Sequence, residues 1–129
     1  MAGWSLQEHP PHHKSGDENE QTEKEEYMSR LPKNRPPTHP GEMLLEEFIQ
    51  PHGLSLAETA RRLRISYPRL HEIVHGKRGV TTDTALRLEA LFGMDADFWL
   101  NLQRDWDLWH ALRSPLAKEL ENIPELVHA

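Results

Sequence analysis

Between Thr38 and Ala111 apolar residues recur three and four positions apart in five successive blocks with polar residues between them, a spacing that predicts helices and no strand. The first block has Thr38 or His39 as its cap and Pro40 in its first turn; it carries Leu44, Leu45, Phe48 and Ile49 before Pro51 and Gly53 end it. The second opens on Ser55-Leu56-Ala57-Glu58, an S-x-x-E capping box, and turns Leu56, Ala60 and Leu63 inward. The third starts after Ser66, places Pro68 in its first turn, buries Leu70, Ile73 and Val74, and stops at Gly76, a residue suited to a left-handed C-cap. The fourth runs from about Thr82 to Phe92, with Ala85, Leu88 and Leu91 inward and Gly93 as its stop. The fifth starts near Asp95 and carries Phe98, Trp99, Leu102, Trp106 and Trp109. Links this short make neighbouring helices pack on one another. The expected fold is therefore all-α, a five-helix domain over residues 38–113 with a C-terminal tail over 114–129.

Before residue 38 the periodicity vanishes. Residues 1–37 are polar, His-rich and Pro-marked, and they read as a disordered N-terminal extension. Lys24-Glu25-Glu26 must be encoded by AAR-GAR-GAR, a purine run like a bacterial ribosome-binding site just ahead of the Met28 codon. The natural start is accordingly expected at Met28. His9, His12 and His13 read as solvated tail histidines.

Charge changes the picture only when it is divided along the chain. The formal net charge is −6, but residues 1–27 hold two bases against seven acids, and Arg61–Arg78 holds six bases against Glu72 alone. Phosphates meet local charge, so the second and third helices sit where a polyanion would be attracted. No cysteine is present, which excludes disulfides, thiolate metal sites and a cysteine nucleophile. No run approaches the length of a membrane span and no signal peptide is seen, so the expected location is cytoplasmic, with no membrane partner.

Two capped helices joined by a tight turn form the pattern that puts a second helix into the DNA major groove. With Leu70, Ile73 and Val74 inward, Tyr67, Arg69, His71, Glu72 and His75 are left outward or flanking. Arg69 can fork onto guanine, Tyr67 can meet a phosphate or a thymine methyl, His71 can donate to a base, and Glu72 can accept from cytosine. Lys77 and Arg78, just past the helix, suit the backbone. Ser55 and Ser66, at the helix starts, complete the candidate DNA-binding set.

A competing signal lies in the same helix. His71-Glu72-Ile73-Val74-His75 matches H-E-x-x-H, in which two histidines one turn apart hold zinc and the glutamate acts as base. Such a site needs a third protein ligand, and Arg78 and Thr81 occupy the places where the extended motif has glycine and histidine. Groove or phosphate contact is the preferred reading of His71 and His75; the expectation is no metal, no cofactor and no catalysis, with a zinc hydrolase as a remote alternative. Trp99, Leu102, Trp106 and Trp109, spaced 3, 4 and 3, form a seam of the kind that is usually core; it is also the candidate dimer or partner interface, to which Trp106 or Trp109 is expected to contribute.

From Thr38 to Ala111 the chain resembles HigA-type antitoxins, the addiction-module branch of the phage-repressor-like (XRE) helix-turn-helix family. The matching strings are His39–Phe48 (HPGEMLLEEF), Gly53-Leu54-Ser55, Gly76–Thr81 (GKRGVT), Ala85–Leu88 and Phe98–Gln103 (FWLNLQ). The segment 28–37 is also similar to family N-termini. The resemblance implies a homodimer that binds palindromic operator DNA in its own promoter and neutralises a HigB-type, mRNA-cleaving ribonuclease. A stand-alone regulator without a toxin is the alternative. Two departures stand out: Arg64 occupies a turn position where the family often has glycine, and Tyr67-Pro68 gives the recognition helix an unusual start.

Overall fold

The computed structural model describes residues 28–127, so residues 1–27 of the expected extension, with His9, His12 and His13, lie outside the described residues. The chain divides into two units at Pro32. The described part of the first unit is a single helical turn in which Leu31 N–H donates to the Met28 carbonyl at 3.3 Å. The second unit, Lys33 onward, is helical, and no strand occurs among the described residues.

α1 begins at Pro40–Leu44 and widens into a π-helical turn over Leu45–Ile49, closed by Gln50 N–H donating to the Leu45 carbonyl at 3.0 Å. The widening has a packing reason. Leu44 and Ile49 are five residues apart, out of phase in a regular α-helix, yet both are buried, and an i to i+5 turn lets both reach the core. It also aims Phe48 at Phe92 and Trp99, with ring centroids 5.4 and 5.0 Å away.

α2 (Leu56–Leu63) and α3 (Tyr67–Val74) start as the sequence predicts. Ser55 Oγ accepts from Glu58 N–H at 3.0 Å, and Ser66 Oγ accepts from Arg69 N–H at 3.2 Å. Leu63, Leu70, Ile73 and Val74 are buried as expected, while Leu56 is half-buried and Thr59 takes a core place instead. Thr59 remains compatible with burial because its hydroxyl donates to the Ser55 carbonyl at 2.8 Å. Between the two helices Arg64 adopts φ 61, ψ 43, the left-handed region where a Cβ is penalised. The departure noted at this position is thus a real cost, offset in part by Arg87, whose Nη1 donates to the carbonyls of Leu63 (2.9 Å) and Arg64 (3.3 Å).

α4 (Thr82–Phe92) and α5 (Ala96–Ala111) complete the expected five, and a short α6 (Leu116–Glu121) forms where the sequence pattern shows only a tail. α1 crosses α3 and α5, α2 packs on α3 and α4, and α4 lies along α5. The α1–α3 crossing brings backbone against backbone, since a Cβ on Gly41 would lie 1.7 Å from the Ile73 carbonyl oxygen.

The tryptophan seam divides. Trp99 is fully buried against Phe48 and Phe98, with ring centroids 5.0 Å from each, so its assignment to an interface is corrected: it is core of this chain. Leu102 is partly buried against the same core. Trp106 and Trp109 are half-buried, Trp106 meeting His39 edge-on at 4.8 Å and Trp109 lying under the Arg113 guanidinium at 3.9 Å.

His39 links α1 to pH. Its ring is buried, and its Nδ1 accepts from Gly41 N–H at 2.8 Å, which requires that nitrogen to be unprotonated. Burial lowers its pKa below 6.5, against the raising influence of Asp107 and Glu42, and His110 lowers it further. The unfolded chain therefore binds the proton first as pH falls. Stability from this cap is expected to be complete above about pH 6.5 and to decline as pH drops from there towards the lower folded-state pKa. Urea melts from pH 8 to 5 check this, because His39→Asn, which keeps an acceptor without a titrating ring, should flatten that part of the curve.

Candidate nucleic-acid interface

With Leu70, Ile73 and Val74 inward, the opposite face of α3 presents Tyr67, His71 and His75, four residues apart and all exposed. The three rings form a ladder: Tyr67 to His71 at 5.9 Å, and His71 to His75 stacked at 4.1 Å with planes 29° apart. His75 Nδ1 lies 2.8 Å from the His71 carbonyl, a contact that does not use its Nε2. One narrow strip thus carries a phenol and two imidazoles, side chains whose outer atoms can hydrogen-bond to base edges.

The charged residues are arranged differently from their sequence order. Arg69, expected to present an open guanidinium fork, instead donates from Nη2 to Asp83 Oδ2 at 2.7 Å and to Thr84 Oγ1 at 2.6 Å. It braces α3 on α4, and only by giving up that bond could the same nitrogen reach a base. Asp83 also accepts from Arg87 Nε at 3.0 Å, and hydrogen bonds from Arg69 and Arg87 hold its carboxyl below the usual carboxylate range. Glu72 is likewise engaged, accepting from Arg78 at 2.6 to 2.7 Å. Glu58 takes Arg61 and Arg62, which pull its pKa down to about 2.

Of the six bases in Arg61–Arg78, only Arg64 and Lys77 have no carboxylate partner among the described residues. The positive field is therefore weaker than the residue count implies, but these pairs are exposed, and exposed ion pairs exchange readily for a phosphate. Ser55 and Ser66 use their oxygens as acceptors in the caps and retain a hydroxyl donor each. The sequence reading missed Asp83, Thr84 and Arg87. The i, i+4 spacing of Asp83 and Arg87 was a signal for one pair, while the bond from Arg69 joins separate helices and has none.

The same geometry bears on the zinc alternative. The base position, Glu72, is turned to Arg78, and among the described residues no third His, Cys, Asp or Glu joins His71 and His75 as a possible ligand.

A helix-turn-helix family model matches residues 45–99, spanning α2, α3 and α4. The chain is 52% identical over 96 residues to virulence-associated protein I of Dichelobacter nodosus, covering 68% of this chain and 89% of that one. It is 36% identical over 76 residues to antitoxin HigA-1 of Vibrio cholerae, covering 58% of this chain and 70% of that one. Among solved structures, Pseudomonas aeruginosa antitoxin HigA with the higBA promoter superposes with a TM-score of 0.66 at 37% identity, over 70% of this chain and 99% of that one. The chain belongs to the HigA-type helix-turn-helix family. The family match takes in the capped starts of α2 and α3, the ring ladder and the turn at Lys77 and Arg78 within one continuous segment. Among the described residues, no helix is long and apolar enough to cross a membrane.

Proposed function

We propose that this chain is the antitoxin of a two-gene toxin-antitoxin module: as a homodimer it binds operator DNA in its own promoter, represses it, and neutralises a HigB-type ribonuclease without catalysis of its own. The observation that carries the reading is the exposed ladder of Tyr67, His71 and His75 on a helix capped by Ser66 and followed by a basic turn, in a chain similar over 70% of its length to an antitoxin solved with its promoter.

In this reading α3 enters the major groove with the ladder towards the base edges. The hydroxyls of Ser55 and Ser66, with Lys77 and Arg78, meet phosphates and set the register; Arg78 exchanges Glu72 for the backbone as it docks. Arg69 acts first as the brace of the recognition helix, and its Nη2 reaches DNA only if its bonds to Asp83 and Thr84 open. Two-fold symmetry of an operator calls for two copies, and the half-buried Trp106 and Trp109 on α5 are the surface offered to a second copy or to the toxin.

Two assays test the proposal together. Purified protein is titrated against the DNA upstream of its own gene, and the neighbouring short reading frame is expressed with and without it. Retarded promoter DNA and rescue of growth support the full reading. Promoter binding without any toxicity to rescue reduces it to a stand-alone regulator.

A further inference from the structure

The turn between α3 and α4 carries Lys77 and Arg78 but has no ladder of its own, so its backbone N–H groups must find acceptors one by one. Gly76 N–H donates to the Ile73 carbonyl at 3.0 Å and Lys77 N–H to the Glu72 carbonyl at 2.8 Å, both within the end of α3. Val80 N–H does something else. It donates to Gln103 Oε1 at 2.7 Å, a side chain on α5 that lies twenty-three residues further along the chain.

Three further observations show that the Gln103 amide is built as a seat. Its Nε2 donates to Asp107 Oδ1 at 2.9 Å, one turn along α5, which decides the orientation of the amide: oxygen to Val80, nitrogen to the carboxylate. Gly79 lies against the same group, since a Cβ there would be 3.0 Å from both Cδ and Nε2 of Gln103. The Val80 side chain is buried in the core, so the turn is pinned by its side chain on one hand and by its N–H on the other. A helix remote in sequence thereby holds the backbone of the turn at Val80, three residues past Lys77 and two past Arg78.

We propose that Gln103 is a positioning residue for DNA binding: through Val80 N–H it holds the 76–80 turn in the form that places Lys77 and Arg78 on the phosphates beside the recognition helix. This rests on the operator-binding reading above. It assigns Gln103 no direct bond to DNA, and it predicts an electrostatic signature that simple loss of packing would not give.

The test compares full-length proteins on the promoter duplex over a range of sodium chloride concentrations, with hydrogen exchange of the Val80 amide followed by NMR. Gln103→Ala is expected to speed Val80 exchange, weaken promoter binding about tenfold, and reduce the salt slope by about one to two as Lys77 and Arg78 move off the phosphates. Gln103→Glu combined with Asp107→Asn reverses donor and acceptor between the two side chains while keeping an acceptor for Val80, and it should restore both slope and affinity. Should Gln103→Ala fail to fold, Gly79→Ala, which pushes the amide aside, is read in its place with the same expectation. Rapid Val80 exchange with an unchanged slope and affinity would overturn the inference, as would a swapped pair no better than Gln103→Ala. A wild-type chain that does not bind the promoter defeats the operator reading and takes this inference with it; wild-type binding unaffected in Gln103→Ala defeats this inference alone.

Discussion

Gly41→Ala is expected to abolish the folded domain, or to leave it destabilised by at least about 3 kcal/mol, the upper range for overpacking. The added Cβ would lie 1.7 Å from the Ile73 carbonyl oxygen and 2.9 Å from Val74 Cα, so the obstacle is backbone on both sides and no side chain can swing away. α1 would have to lift off α3 by more than an ångström. That movement opens the core around Leu44, Leu70 and Ile73, each fully buried, and displaces the helix that carries the ring ladder. Thermal melts followed by circular dichroism check the prediction, and a Gly41→Ala protein melting within a few degrees of wild type would show that the crossing is looser than described.

The second large effect concerns the tryptophans, which the same substitution should separate. Trp99→Ala removes a fully buried indole packed on Phe48 and Phe98 and is expected to cost about 3–5 kcal/mol. Trp106→Ala removes a half-buried ring whose partners are His39 and His110. It should leave most of the monomer's stability in place and lower the mass seen by light scattering if this face joins two copies. Equal destabilisation by both would mean that the whole seam is core. An unchanged mass in both Trp106→Ala and Trp109→Ala would place the dimer interface elsewhere.

These two positions show what the sequence could and could not convey. Helical periodicity located α1 to α5 because a one-sided apolar stripe and the caps Ser55, Ser66 and Gly93 are local features that need no tertiary information. Arg64 was legible as a cost only through the family resemblance, in which glycine often holds this turn position; its left-handed backbone bears the cost out. Trp99 was not separable from Trp106 and Trp109, since an a/d-like spacing marks one helix face without saying how far the neighbouring helices cover it. The π-turn in α1 escaped for a related reason, because a five-residue offset between Leu44 and Ile49 has meaning only against the partners they fill. In the candidate site the outward placement of Tyr67, His71 and His75 followed from spacing, but their stacking into a ladder came only with the structure. The engagement of Arg69 with Asp83 and Thr84, and of Gln103 with Val80, depends on which helices meet, and these pairs stand fourteen or more residues apart in the chain.

The central claim is that the outward face of α3 reads the operator. It is tested most directly by competition titrations of wild type and the triple variant Tyr67→Ala, His71→Ala, His75→Ala against the promoter duplex and a scrambled duplex of equal length. All three side chains are exposed, so the variant should melt close to wild type. With each base-reading side chain worth about 1–3 kcal/mol, removing all three should lower the preference for the promoter by at least about a hundredfold, with binding to the scrambled duplex little changed. A folded triple variant that keeps the wild-type preference for the promoter would contradict the account.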